Sequence, residues 1–256
     1  MFSNDIPDSI IKINNERILS SMNLIQHQKE ESMTNNVDEV DKSGKDNHSD
    51  KKKVFLWDVY NRPYVSITER YKTITIDRKL LSAGKGTRLV NSLVQKDLLK
   101  VHEINLGGRG GSAKFLELTE KGYDAIGMKP KPGIGKGAGF EHGFWQQHLA
   151  ERLKSLSGIN EIKIEGLIMD KSVDILIGTE QGKFAIEIAM SSEHEKINVE
   201  KDIAAGCSRI FIGCKDKTIL KEVTKIISGY PEEKKIKLTS CLVQKIFEEV
   251  KNCLQS

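Results

Sequence analysis

Nowhere in the 256 residues does an apolar run approach the ~20 residues that a membrane-spanning helix needs. No membrane partner is therefore expected. Met1-Phe2-Ser3-Asn4-Asp5 is not a basic segment leading into an apolar stretch, so no secretory signal is expected and the chain is expected in the cytoplasm. Cysteines are few: Cys207, Cys214, Cys241 and Cys253. None form a CxxC pair and no histidine stands at zinc-finger spacing from them, which argues against structural zinc and against a disulfide framework. Cys207 and Cys214 flank Arg209-Ile210-Phe211-Ile212 and read as small buried hydrophobes. The excess of one charge sign over the other is also small. A net charge of +4 in a chain that is 30% charged says little about partners until its location is known.

What is present divides along the chain. Residues 1–53 contain a short apolar-spaced stretch from Ile10 to Ile25, followed by Asn, Asp, Glu, Lys and Ser with little to bury. That composition predicts a largely disordered tail. Residues 54–128 are denser. Phe55, Trp57, Val59 and Tyr60 supply one helix face that stops near Pro63, and Ser66-Ile67-Thr68-Glu69 has the spacing of a capping box. A third helix is expected over Leu89–Leu98, with Lys79, Lys85 and Arg88 as its basic approach. Leu99–Ile104 alternates as a strand. Gly107-Gly108-Arg109-Gly110-Gly111 forms a glycine-rich turn, and Lys114–Leu118 returns. Residues 129–139 combine Pro130 and Pro132 with Gly133, Gly135, Gly137 and Gly139. The GxGKGAG there lacks the GxxxxGK[ST] spacing and follows no buried strand, so it reads as an interdomain linker.

Residues 140–256 alternate helix and strand: helix 141–156, strand 161–168, a hairpin turning at Glu180-Gln181-Gly182, helix 195–205, strand 209–213, helix 219–227, and a last helix from Thr239 or Ser240 through Val250. Within the hairpin, Val173-Asp174-Ile175-Leu176-Ile177 and Phe184-Ala185-Ile186-Glu187-Ile188-Ala189 each carry one carboxylate in an apolar run. Runs without alternation read as strands buried on both faces, where an ionised carboxylate is costly unless paired or metal-bound. The residues leave two readings open. Either each acid sits at a strand end and reaches water, or the two hold a divalent metal. His142, His148 and His194 read as surface or core histidines, Phe144 and Trp145 as core. Ser191-Ser192-Glu193 reads as a turn and helix N-cap.

Helix, helix, helix, hairpin is the order of a winged helix, and Leu118-Thr119-Glu120-Lys121-Gly122 resembles the phrase after the wing in many winged-helix regulators. That resemblance implies DNA contact through Lys85, Arg88, Arg109 and Lys114, or alternatively a protein-docking role. The order after residue 140 resembles the PD-(D/E)xK nuclease superfamily. The whole is thus expected to be α/β (α+β overall): a winged helix, then a restriction-endonuclease-like αβββαβ domain with a mixed central sheet. Asp174 matches the motif Asp, and Glu187 matches the first residue of the tripeptide, which here reads Glu187-Ile188-Ala189 with alanine in place of lysine. The resemblance implies that the lysine has moved to the following helix. Lys201 is the best candidate there, Asn198 shares its face, and Lys196 is the alternative. It implies Glu141 as the remaining acid, which otherwise reads as an exposed first-turn carboxylate. Asp174 and Glu187 would hold Mg²⁺, or Mn²⁺, as cofactor. A wider resemblance covers residues 54–213. The HerA/TraG kind of conjugation ATPase often ends in such a module, and the matching pieces here are Gly139–Trp145, Val173-Asp174, Ala185–Ile188, Asn198–Lys201 and Ala205-Gly206. No Walker A motif is present, so an ATPase would be a separate partner. Three functions are consistent with this: a DNA endonuclease, an inactive nuclease-like recruitment module, and a winged-helix regulator with a ligand-sensing domain.

Overall fold

The computed structural model describes residues 46–76, 78–107, 111–131, 139–168 and 171–255. The expectations for residues 1–45 of the tail, for Arg109 and for the Gly133–Gly137 stretch lie outside those residues, whereas residues 46–53, expected in the disordered tail, form the first half of a helix. Helix α1 (Asp46–Asn61) buries Phe55, Leu56 and Val59. Ser66 then accepts a hydrogen bond from the Glu69 N–H at 3.2 Å, so the cap read from the sequence forms and starts α2 (Ile67–Thr73). Arg70 of α2 is fully buried, ion-paired with Asp58 and bonded to the Arg62 carbonyl at 2.7 Å, which ties α2 to α1.

A two-residue hairpin, β1 (Thr75–Ile76) and β2 (Lys79–Leu80), leads into α3 (Ala83–Gln95). This helix starts six residues before the predicted Leu89 and stops before Leu98. Gly84 and Gly86 look like breakers in the sequence. Gly86, however, is where the helix crosses Tyr71, since a Cβ there would lie 2.4 Å from the ring. The early stop follows from Asp97, whose φ of 57° is left-handed. Strands β3 (Leu99–Asn105) and β4 (Ser112–Leu118) pair antiparallel without a break from Leu99↔Leu118 to Asn105↔Ser112. Thr119 caps the short α4 (Glu120–Ala125).

The C-terminal part runs α5 (Gly139–Leu153), β5 (Ile159–Ile168), β6 (Lys171–Thr179), β7 (Gly182–Ala189), α6 (Glu195–Ala204), β8 (Arg209–Cys214), α7 (Lys217–Ser228), α8 (Glu232–Lys235), β9 (Leu238–Leu242), a 3₁₀ turn at Val243–Lys245, and α9 (Ile246–Gln255). The sheet order is β5-β6-β7-β8-β9. The first three strands are antiparallel, while β8 and β9 run parallel to β7, so the expected mixed central sheet is present. One expectation is corrected. Residues 238–242 are a fifth strand rather than the start of a helix, and the last helix begins at Ile246. Leu238-Thr239-Ser240-Cys241-Leu242 is short and neither alternates nor is rich in β-branched residues; its pairing with β8 makes it a strand.

The sheet has two apolar faces. Phe184, Ile186, Ile175, Ile177 and Phe211 pack against α5 and α9 through Trp145, Leu149, Ile246 and Val250. Ala185, Ala189, Ile210 and Ile212 pack against α6 and α7 through Val199 and Val223. This explains the missing alternation in β7, where residues Phe184 to Ala189 are all buried. Ile104 and Phe115 of the β3–β4 hairpin belong to the same apolar cluster as α5. Among the described residues, no helix is long and apolar enough to cross a membrane.

Candidate functional site

Asp174 sits where two strands part. The β6–β7 ladder runs from Thr179↔Gly182 to Ile175↔Ile186. Beyond it, the Ile188 N–H donates to Asp174 Oδ2 at 2.7 Å, so a side-chain carboxylate stands in for the ladder's backbone acceptor. Helix α5 closes over the same carboxylate. His142 Nε2 lies 3.0 Å from Oδ2, and Gln146 Nε2 donates to Oδ1 at 3.1 Å. Gln146 also donates to Glu165 Oε1 at 2.6 Å, and Ser172 Oγ donates to Glu165 Oε2 at 2.8 Å. Burial lowers the His142 pKa, but the hydrogen bond to Asp174 and the surrounding acids outweigh it, leaving the imidazole above its ordinary value. A charged His142 donates to Asp174.

Glu187, 4% exposed, lies on the α6 side of β7 beside Ala185 and Ala189. Lys201 of α6 meets it there, with Nζ 2.9 Å from Oε1. The same ammonium donates to the Ser172 carbonyl at 2.5 Å and lies 3.5 Å from Asp202 Oδ1. Burial and the neighbouring Asp174 and Asp202 push Glu187 up to about 9, with Lys201 opposing. Burial lowers Lys201, yet Glu187 and Asp202 hold it above its ordinary value. Two more acids face this space from α6. Glu195 is pushed up to about 7 by burial and then by Asp174, with Asn198 and Lys201 opposing. Asp202 is raised chiefly by burial. Both are buried, and neither oxygen of Asp202 nor Oε2 of Glu195 has a hydrogen-bond partner among the described residues.

The structure therefore pairs Glu187 with Lys201, with Asp174 close enough to Glu187 to raise its pKa and the half-buried Asn198 one turn before the lysine. Lys196 is exposed. Glu141 lies in the first turn of α5 with Oε2 2.9 Å from Lys215 Nζ. The helix bearing Lys201 is capped at His194, not at the preceding serines, because its first turn starts only at Glu195. Phe144 and Trp145 are core, and His148 stacks on Phe144 with ring centroids 5.2 Å apart. Four participants were not read from the sequence as site residues: His142, Gln146, Glu195 and Asp202. The first two stand at i and i+4 on one helix, a spacing that puts them on one face. Glu195 and Asp202 stand at i and i+7 with Lys201 between, again one face. Among the described residues, no group of three or more His, Cys, Asp or Glu side chains is arranged to hold a metal ion.

On the N-terminal part, Lys85 and Arg88 are exposed along α3, and Lys114 is exposed on β4 opposite Glu103. The first turn of α3 carries no acid, and Ser82 makes no side-chain cap bond there. Of the nearby acids, Asp97 is paired with Lys121 at 2.9 Å. Compared with protein-family models, curated proteins and solved structures, the chain gives no match.

Proposed function

We propose that this protein binds DNA through a winged helix formed by its N-terminal helices and the β3–β4 hairpin. We further propose that it hydrolyses DNA phosphodiester bonds at the Asp174–Glu187 site with Mg²⁺ as cofactor. One observation carries the nuclease reading. A lysine outside the motif tripeptide, Lys201, delivers its ammonium to 2.9 Å from Glu187, supplying the charge that Ala189 cannot.

The donor chemistry is that of a hard divalent cation, although no three of these acids are arranged as a ready-made site among the described residues. Asp174, Glu187, Glu195 and Asp202 offer only oxygen, three of those carboxyl oxygens accept no hydrogen bond among the described residues although Lys201 lies 3.5 Å from one of them, and the acids outnumber the cations His142 and Lys201 beside them. Two carboxylates plus waters and a substrate phosphate are a usual shell for Mg²⁺. Asp174 and Glu187 would hold the ion, which when bound supplies Lewis acidity at phosphorus and a water of lowered pKa. The protein's own part follows from its contacts. His142, Gln146 and the Ile188 N–H fix the Asp174 carboxylate. Glu187 and the Ser172 carbonyl anchor Lys201, whose ammonium orients the attacking water or meets charge developing on the phosphate. Exposed Lys85, Arg88 and Lys114 supply phosphate contacts, and the acid-free start of α3 suits an anion.

Duplex, branched and single-stranded DNA incubated with Mg²⁺ or Mn²⁺ test this reading. We expect cutting of at least one substrate, lost in Asp174→Ala and Glu187→Ala with DNA binding kept. Lys201→Ala should slow it by about 10²–10³, the usual effect of removing one charge-stabilising donor. Binding without cutting on any substrate, in either metal, overturns catalysis. A specific observation favours that second reading, an inactive nuclease-like DNA-binding module. Both oxygens of Asp174 are already engaged by His142, Gln146 and Ile188.

A further inference from the structure

Helix α5 is gripped from two sides. Toward the sheet, its His142 and Gln146 hold Asp174. Toward the N-terminal part, its Phe140 stacks flat on His102 of β3, with ring centroids 4.3 Å apart and planes 10° apart. His102 is itself anchored by Glu117 of β4 at 2.7 Å. One turn on, Phe144 packs against Phe115 of β4 at 4.6 Å, and Tyr64 lies over Phe140 and Phe144. Tyr64 reaches α5 at Gly143, where a Cβ would stand 2.4 Å from its hydroxyl. A second attachment lies away from α5. Gln244, in the 3₁₀ turn before α9, donates to the Asn105 carbonyl at 2.9 Å, and its side chain lies against Gly107. Ile104 and Phe115 are 1% and 3% exposed because they complete the core under α5. Aromatic packing at one end and a backbone-directed hydrogen bond at the other leave the hairpin no hinge toward the sheet.

We propose that α3 with the β3–β4 hairpin and the Asp174–Glu187 site form one rigid ruler. Nucleic acid seated on the first then presents a backbone phosphate to the second at one fixed spacing. The proposal rests on the DNA reading above, and it makes the substrate a duplex segment long enough to reach both places. A nuclease tethered by a flexible joint samples many phosphates; this one samples one.

Two measurements on the full chain test it. Spin labels at Lys100→Cys and Lys183→Cys, exposed sites on the hairpin and the sheet, are placed in a Cys253→Ser background. Their distance distribution should be as narrow as that of a control pair, Lys183→Cys and Lys217→Cys, both in the C-terminal part. A broad or two-peaked distribution overturns the ruler whatever the DNA result. The second measurement attaches an iron–EDTA chelate at Glu193→Cys and uses duplexes of increasing length. Strand scission should rise in one step at a threshold length, and a gradual rise overturns the ruler. If the labels give a narrow distance but no duplex binds at any length, the DNA reading fails and the ruler fails with it.

Discussion

Replacing Glu195 with glutamine removes a buried carboxyl whose Oε2 has no hydrogen-bond partner among the described residues. Its pKa in the folded protein, about 7, lies above the ordinary 4.5, so folding favours the protonated form. Stability from that proton is complete below pH 4.5 and is lost as pH rises through 7. Glu187, pushed up to about 9, extends the same sign of dependence to higher pH. Glu195→Gln should therefore melt at the wild-type temperature at pH 4 and above it at pH 8. The gain at pH 8 should be roughly 1–3 kcal/mol, the cost of leaving a buried polar group unsatisfied. Thermal melts at both values check this, and a variant that gains equally at pH 4 contradicts it. A second residue-scale expectation concerns Ala189, fully buried on the α6 side of β7, the face that also carries Glu187. Ala189→Lys should be strongly destabilising in the wild type, by about 3–5 kcal/mol, because it buries a second ammonium beside Lys201. In Lys201→Ala the same substitution should cost less, because the new ammonium inherits Glu187. Urea unfolding of the two single variants and the double variant measures the coupling, and simple additivity would show that the two positions do not share one space.

Between residue and fold, glycines mark where elements touch. Gly122, the last residue of the Leu118–Gly122 phrase, has the Leu98 carbonyl oxygen 2.2 Å from where a Cβ would be. The obstacle is backbone at the start of β3, which cannot rotate away. Gly143 on α5 meets only the Tyr64 hydroxyl, the outer atom of a ring that can tilt. Gly122→Ala should therefore cost more stability than Gly143→Ala. Tyr64→Phe should recover part of the Gly143→Ala loss and none of the Gly122→Ala loss. Overpacking typically costs about 1–3 kcal/mol, well within reach of denaturant melts. These contacts also explain which elements were legible. Strands β6 and β7 were readable because both faces of the sheet are covered, leaving unbroken apolar runs. The start of α3 was not, because Gly84 and Gly86 argue locally against helix while the approach of Tyr71 demands glycine at 86. Strand β9 was not, because its identity comes from β8 alongside it.

Across the whole molecule, the site assembles from four elements: α5, β6, β7 and α6. Asp174 and Glu187 stood out as acids in apolar runs, and Lys201 came from comparison with a known motif. His142 and Gln146 did not stand out, because a histidine and a glutamine on an amphipathic helix become informative only when the strand beneath them bears Asp174. The charge map of the folded chain then predicts opposite signs for two sets of substitutions. Lys85, Arg88 and Lys114 are exposed cations on the proposed DNA face. Each that contacts a phosphate releases a counterion, so its replacement by alanine should weaken duplex binding and flatten the slope of log K against log salt by about 0.9. Asp174 repels phosphate when no divalent ion is present, and Glu187, protonated below its pKa of about 9, adds no attraction. Asp174→Asn and Glu187→Gln in EDTA should therefore bind duplex as tightly as wild type or more tightly, with the slope unchanged or steeper. Fluorescence anisotropy from low to moderate salt measures all five variants. If the lysine and arginine variants keep the wild-type slope, the basic positions make no phosphate contact. If the acid variants bind more weakly without metal, Asp174 and Glu187 act by holding the fold together, not by facing the nucleic-acid backbone.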